Sequence, residues 1–250
     1  MIRLSGIRKT FNPGEASEVR ALLPLDLELR QGEFVIVIGA NGSGKSTLLN
    51  LLAGSERPDA GTIRLDDTDI TSLPDYRRSK FLGRVFQHPH AGTAPDLSIL
   101  ENFRLAALRT KTKTLRIGLQ QDFRNTVYEL VATLQMGLEH KLDQPMGKLS
   151  GGQRQALTLL MSTFDSCRLL LMDEPTAALD PRSATTVMRL AEKIIRQQQL
   201  TAVLITHQLK DCLLYGDRIL LMREGLVVEN ISGEAKKQLN LQDLYARFAD

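Results

Sequence analysis

The sequence predicts an α/β fold with a mostly parallel sheet, a small antiparallel β subdomain near its N-terminus and an inserted helical stretch. Three observations carry that prediction. Apolar runs at Phe34 to Ile38, Leu169 to Met172, Ala202 to Ile205 and Arg218 to Met222 have the composition of strands covered on both faces. Helical periodicity separates them, most clearly over Ser183 to Gln199, where Val187, Leu190, Ala191, Ile194 and Ile195 share one face. Strands alternating with helices point to a parallel sheet. From about Ser98 to Thr163 the pattern is helical, and no central-strand run interrupts it.

The N-terminal elements follow a different period. Leu25, Leu27 and Leu29 alternate with Asp26, Glu28 and Arg30 and stop at Gln31-Gly32, a half-buried strand and its turn. Ile2 with Leu4, and Thr62 to Leu65, have the same character, and Asp66-Asp67-Thr68-Asp69 forms a hairpin turn. Turn chemistry accounts for those aspartates without a metal. Helical patterns over Ile99 to Leu108, Phe123 to Leu134 and Gln153 to Leu160 define a subdomain over 87–164, inserted between core segments 1–86 and 165–250 of one domain. Within it, Lys111, Lys113 and Arg116 form a solvated basic loop.

A chain of 250 residues buries a substantial core but would crowd two enzymes. The net charge of +3, from 32 basic and 29 acidic residues, offers no broad basic surface, so nucleic acid is not an expected partner. Cys167 and Cys212 lack metal-ligand spacing and sit among apolar neighbours, as buried structural thiols in a reducing cytoplasm do. There is no secretory signal pattern and no apolar run near the ~18 residues of a membrane span. The expectation is a soluble chain unless a partner tethers it.

Gly39-Ala-Asn-Gly-Ser-Gly-Lys-Ser46 is a phosphate-binding loop in the required context, with a buried strand leading in and Thr47 to Ala53 leading out as a helix that Gly54 is placed to cap. Gly42 and Gly44 let backbone N–H groups curl round phosphate oxygens at a positive helix end. Lys45 is then the residue that reaches the β- and γ-phosphates, and Ser46 the Mg²⁺ ligand. Asp173, at the end of an apolar strand, is placed to hold Mg²⁺, and Glu174 beside it to polarise the attacking water. Pro175 fixes the turn that holds Glu174. His207, just past a strand in a parallel sheet, stands where ligands sit, and a γ-phosphate or water contact is the expected role. His88, His90 and His140 have no such placement. Gln87 follows Val85-Phe86 at the mouth of the helical region, where its amide can touch Mg²⁺ or the attacking water. Phe11 fits either stacking on a base or core packing.

Leu149-Ser-Gly-Gly-Gln153 opens a helix with Ser150 as its N-cap, and the glycine pair presents free N–H groups suited to close approach by an anion. One nucleotide already wrapped by the first loop has no room for this second donor set. It makes sense against the γ-phosphate held by another chain.

Taken together, these motifs resemble the ATP-binding-cassette (ABC) ATPases, over essentially the whole length. Gly39, Asn41, Gly42, Ser43, Gly44, Lys45, Ser46 and Thr47 lie in the Walker A match, Gln87 in the Q-loop, and Ser150, Gly151, Gly152 and Gln153 in the signature. Leu169 to Glu174 resembles Walker B, Ala177 to Asp180 the D-loop, and His207 the switch histidine. The resemblance implies that Phe11 stacks on adenine, where tyrosine is commoner, and Ala177 departs from a frequent serine. It implies a P-loop NTPase (RecA-like) core, ATP and Mg²⁺, and a head-to-tail dimer with each ATP between Lys45 of one copy and Ser150 of the other. It further implies integral-membrane permease subunits, a separate solute-binding protein and a place on the cytoplasmic face of the cell membrane. The Ala91 to Pro95 stretch is similar to cassettes of bacterial importers for aromatic amino acids. The competing class is a soluble cassette of the iron–sulfur-assembly type; DNA-repair cassettes are disfavoured because no long heptad insertion separates the motifs.

Overall fold

The computed structural model describes residues 1–110 and 120–249. The basic loop expected at Lys111, Lys113 and Arg116 lies outside the described residues. In chain order the first elements are β1 (Ile2–Phe11), β2 (Val19–Leu29), β3 (Phe34–Gly39), α1 (Lys45–Ala53), β4 (Ala60–Leu65), β5 (Thr68–Asp69) and α2 (Asp75–Arg78). There follow β6 (Leu82–Val85), α3 (Ile99–Ala107), α4 (Gln121–Ala132), α5 (Gly151–Ser162), β7 (Leu169–Asp173) and α6 (Pro181–Gln198). The last are β8 (Thr201–Ile205), α7 (Leu209–Leu214), β9 (Arg218–Arg223), β10 (Leu226–Ser232), α8 (Gly233–Lys237) and α9 (Leu241–Ala249). The chain divides into two compact units, Met1–Arg78 with Ile195–Asp250, and Ser79–Ile194.

The first unit holds an antiparallel sheet in the order β2-β1-β4-β5. Leu25, Leu27 and Leu29 are buried while Asp26 and Glu28 are exposed, because adjacent side chains of a strand point to opposite faces. The turn after β4 is tighter than the expected four residues. Asp66, at φ 49°, and Asp67 make the reversal, and Thr68 and Asp69 already pair back on Leu65 and Arg64. The same unit contains parallel β9-β3-β8, with β10 added antiparallel to β9. All six residues of β3 are buried, as its unbroken apolar run requires.

Four helices start two residues earlier than their periodicity indicates, α1 at Lys45, α4 at Gln121, α5 at Gly151 and α6 at Pro181. Their first two residues are polar, glycine or proline and carry no apolar stripe, so they escape a pattern based on burial. Gly54 closes α1 at φ 81°, its N–H bonded to the Asn50 carbonyl, as its position predicts. Arg78, the last residue of α2, is fully buried and donates to the carbonyls of Leu51 and Leu52 at the end of α1 and to those of Ile70, Thr71 and Leu73.

The second unit pairs β6 and β7 in parallel, with α5 against β6 and with α3 and α4 packed on α5. Phe164 meets Phe103 and Phe123 edge-on at 5.6 and 6.0 Å, joining the middle of α3 and the first turn of α4 to the end of α5. Ser98 and Ser150 each form a capping box, with Glu101 and Gln153, in which the N–H groups of those four residues are satisfied.

Cys212 is fully buried on α7, and burial, reinforced by the adjacent Asp211 carboxylate, pushes its thiol up to about 12. The neutral thiol is therefore the form present at any pH below that value. Expected at pH 8 is no alkylation of Cys212 by iodoacetamide in the folded protein and full labelling after unfolding in urea, read by peptide mass spectrometry; native labelling would contradict the burial.

Candidate active site

The phosphate loop is shaped by β3, which delivers Gly39, and by α1, which begins at Lys45. A side chain on Gly39 would run into the Met222 carbonyl and come within 2.6 Å of Ser43 Oγ. Gly44, at φ 98°, faces the Ala21 carbonyl and Leu22 with no room for a Cβ. The Gly225 N–H holds the Ser43 carbonyl at 3.1 Å, and the Gly225 carbonyl accepts from Leu23 N–H at 3.1 Å. The loop is thus pinned from outside by β2 and by the turn between β9 and β10. No side chain caps α1 and no acidic residue lies in its first turn, which leaves its N–H groups and partial positive charge to an anion.

Lys45 is 5% exposed and donates to the Gly39 and Ala40 carbonyls at 2.8 Å each. Ser43 Oγ is buried with no hydrogen-bond partner among the described residues. A buried hydroxyl without a partner is costly, and a phosphate oxygen would satisfy it. Ser46 is exposed on the first turn of α1. Its hydroxyl is an oxygen donor of the kind that Mg²⁺, a hard cation, takes beside substrate phosphates.

His207 and Gly39 leave neighbouring parallel strands at the same carboxyl end, since Val37 pairs with Ile205 two residues earlier on each strand. Ligands of parallel sheets gather at this edge. Thr206, buried just before His207, accepts from the Gln208 N–H at 3.0 Å and bonds the Asp211 side chain. Burial pushes the Asp211 carboxyl up, partly offset by that Thr206 bond. Phe11 ends β1 half-buried, with Lys9 Nζ 5.2 Å from its ring centre, so part of the ring stays available. Asn41 and Gly42 are exposed at the loop tip and Thr47 is half-buried.

The second unit carries the other candidates. Asp173 ends β7, with Arg84 Nη2 of β6 at 3.8 Å from its carboxylate. Glu174 follows at φ 45°, a left-handed conformation that a non-glycine residue rarely adopts. The Ala177 N–H closes that turn on the Glu174 carbonyl at 3.1 Å. Gln87 is exposed beyond β6.

At the start of α5, Ser150 and Gly151 are exposed, Gln153 is half-buried and Gly152 is buried. A Cβ on Gly152 would lie 2.7 Å from that of Ser183, in the first turn of α6. The glycine pair therefore has two reasons: Gly151 keeps an open N-terminus, and Gly152 lets α6 pack close. Ser150, Gly152, Gln153, Arg182 and Ser183 border a cleft of about 360 Å³. Asp180 Oδ1 accepts from the Arg182 and Ser183 N–H groups at 3.1 Å each, capping α6, and hydrogen bonding from Ser183 lowers its carboxyl from the ordinary value.

Sequence reasoning missed several residues of this region. Arg154 is 4% exposed; its Nη1 lies 2.6 Å from His90, and its Nη2 donates to the carbonyls of Gly147 and Leu149 just ahead of Ser150. His90, left without a role by its sequence context, thus meets the signature helix. Arg84 and Gln155 were likewise overlooked. An arginine inside a strand or a glutamine after a glycine turn has the look of a solvated side chain, and only the packed neighbours show otherwise.

A parallel sheet that delivers a glycine-rich loop to a helix start defines a P-loop nucleoside triphosphatase. The ABC transporter family profile matches residues 22–177, and the chain belongs to that family and is an ATPase. It is 40% identical to the tyrosine transport ATP-binding protein of Clostridioides difficile over 99% of this chain and 98% of that one. It is 35% identical to the lipoprotein-releasing system ATP-binding protein LolD 1 of Caulobacter vibrioides over 83% and 86%. A 35% identical match to the macrolide export protein MacB of Chlorobium luteolum spans 92% of this chain but 33% of that larger protein. Among solved structures, the dimeric post-hydrolysis ATP-binding cassette MJ0796 bound to ADP and Pi superposes with a TM-score of 0.79 at 28% identity, covering 93% of this chain and 98% of that one.

Proposed function

We propose that this chain is the ATP-hydrolysing subunit of a bacterial importer for a small solute, with aromatic amino acids as the candidate class. The observation that carries the reading is the full-length 40% identity to a tyrosine transport ATP-binding protein. The chain acts on the cytoplasmic face of the membrane through separate permease subunits fed by a solute-binding protein, and the segment after Gln87 receives them. Among the described residues no helix is long and apolar enough to cross a membrane. The organisation proposed is one cassette domain, with helical residues 87–164 set into a core of 1–86 and 165–250.

Two copies work head to tail, as the cassette MJ0796 forms a dimer. Lys45 exchanges the Gly39 and Ala40 carbonyls for phosphate oxygens, an exchange that costs little because both partners are acceptors. Gly42, Gly44 and Ser43 donate around the phosphates, Phe11 stacks on the base, and Ser150 to Gln153 of the second copy close over the γ-phosphate. When bound, Mg²⁺ neutralises charge on the phosphates; Ser46, Asp173 and Gln87 are its protein ligands. Glu174 polarises the attacking water and His207 contacts the γ-phosphate, while Asp180 lies in the loop that meets the other copy.

Purification from membranes with the proteins encoded alongside tests the importer reading. Co-purification with a permease, and ATP turnover stimulated by a tyrosine-loaded binding protein, are expected; recovery only with soluble assembly proteins would replace it with the iron–sulfur-type reading. Ser150→Arg tests the two-chain site. The substitution puts a long cation where a backbone cradle should meet phosphate, so ATP-driven dimerisation in gel filtration should disappear while nucleotide binding by the monomer remains. A variant that still dimerises with ATP would rule out this geometry.

A further inference from the structure

We propose that Gln155 is a positioning residue for hydrolysis, which holds the turn carrying Glu174 and ties it to the backbone leading into Gln87. The proposal rests on the assignment of Glu174 as the water-polarising base. Gln155 is fully buried in the second turn of α5. Its side-chain Nε2 donates to the Phe86 carbonyl at 2.9 Å and to the Pro175 carbonyl at 2.8 Å. Phe86 immediately precedes Gln87, and Pro175 immediately follows Glu174. One amide nitrogen therefore uses both of its hydrogens to bridge the two segments that carry catalytic candidates.

The chemistry excludes a packing role alone. Gln155 Oε1 is buried without a partner among the described residues, a cost that an apolar side chain of the same length would avoid. What an apolar side chain cannot do is satisfy two carbonyls at once. A carboxylate there would turn oxygen lone pairs against both. The turn it holds is also one that needs holding, since Glu174 sits at φ 45° with Pro175 behind it. Losing the Pro175 anchor frees the peptide after Glu174 to rotate, and small misplacements of a catalytic group carry large rate penalties. Because Ser150 caps α5, the same amide lets a displacement of the signature helix reach Glu174 and Gln87 together.

Gln155→Met removes both donors and keeps length and volume. Expected is a kcat about 10- to 100-fold lower, with KM for ATP unchanged within about twofold, the split that marks a transition-state rather than a binding effect. In a double-mutant cycle, Gln155→Met should add no further loss to Glu174→Gln, because the first acts through the second. Gln155→Glu supplies the second variant if the first does not fold: its protonated carboxyl has one O–H for one carbonyl, so its turnover relative to the parent should rise as pH falls. Parental kcat in a folded Gln155→Met variant, a fully multiplicative loss in the Glu174→Gln background, or a flat pH ratio for Gln155→Glu would each overturn the proposal. Normal turnover of Glu174→Gln itself would instead remove the assignment on which it rests.

Discussion

Glu174→Gln should lower steady-state ATP turnover by about 10²- to 10⁴-fold, the range lost with a general base, while ATP remains bound and holds two copies together. The substitution keeps size and shape, so the turn at φ 45° and the Ala177 N–H contact to the Glu174 carbonyl are conserved. What it removes is the charge that can draw a proton from water. Lys45, Ser43 and the open N-terminus of α1 are untouched, and the binding part of the cycle with them. Phosphate release assays report the first effect, and gel filtration in the presence of ATP reports the trapped dimer. Turnover at the parental rate would exclude Glu174 as the base.

Arg78→Met should destabilise the fold by about 3 kcal/mol, in the range found when a buried, fully bonded charged group is removed. The guanidinium donates to Leu51 and Leu52 at 2.7 and 2.8 Å, to Ile70 and Thr71 at 2.6 and 3.1 Å, and to Leu73 at 2.8 Å. The first two carbonyls belong to the last turn of α1, which has no further turn to satisfy them. Removing the fork takes the donor from the Leu51, Leu52, Thr71 and Leu73 carbonyls, while the Ile70 carbonyl keeps the Leu73 N–H at 3.0 Å. Offsetting this, burial opposes the charge and pushes the Arg78 pKa down to about 10, so the methionine variant is spared that desolvation cost. Lysine would not restore the loss, because one ammonium with three donors cannot match a planar fork of five. Urea unfolding would show the midpoint displaced with the slope unchanged; a stability within 0.5 kcal/mol of the parent, the ordinary range for a surface substitution, would refute the argument.

Arg78 also illustrates where sequence reasoning stops. In Asp75-Tyr-Arg-Arg78 nothing distinguishes the arginine that is fully buried from Arg77, which is exposed. Both are charged residues in a short polar helix, and burial depends on which one happens to meet the end of α1. Gln155 shows the same limit, for its two acceptors lie 69 and 20 residues away in the chain. The phosphate loop, by contrast, is local: a strand, a glycine-rich turn and a helix follow one another within 34–53, so residue type and spacing alone specify its donors. The Ser150 cap is local too, and the capping box with Gln153 forms within three residues.

The sequence by itself determined the alternation of strands and helices, the buried runs, the phosphate loop and the capped start of the signature helix, because each depends on neighbours within a few residues. Only the tertiary structure decided that Gly152 makes room for Ser183, that Arg78 closes α1, that Arg154 reaches His90, and that one amide of Gln155 spans the approaches to Gln87 and Glu174. Hydrogen bonds between distant segments leave no periodic trace. Their donors and acceptors are chosen by packing, and packing is a property of the folded chain.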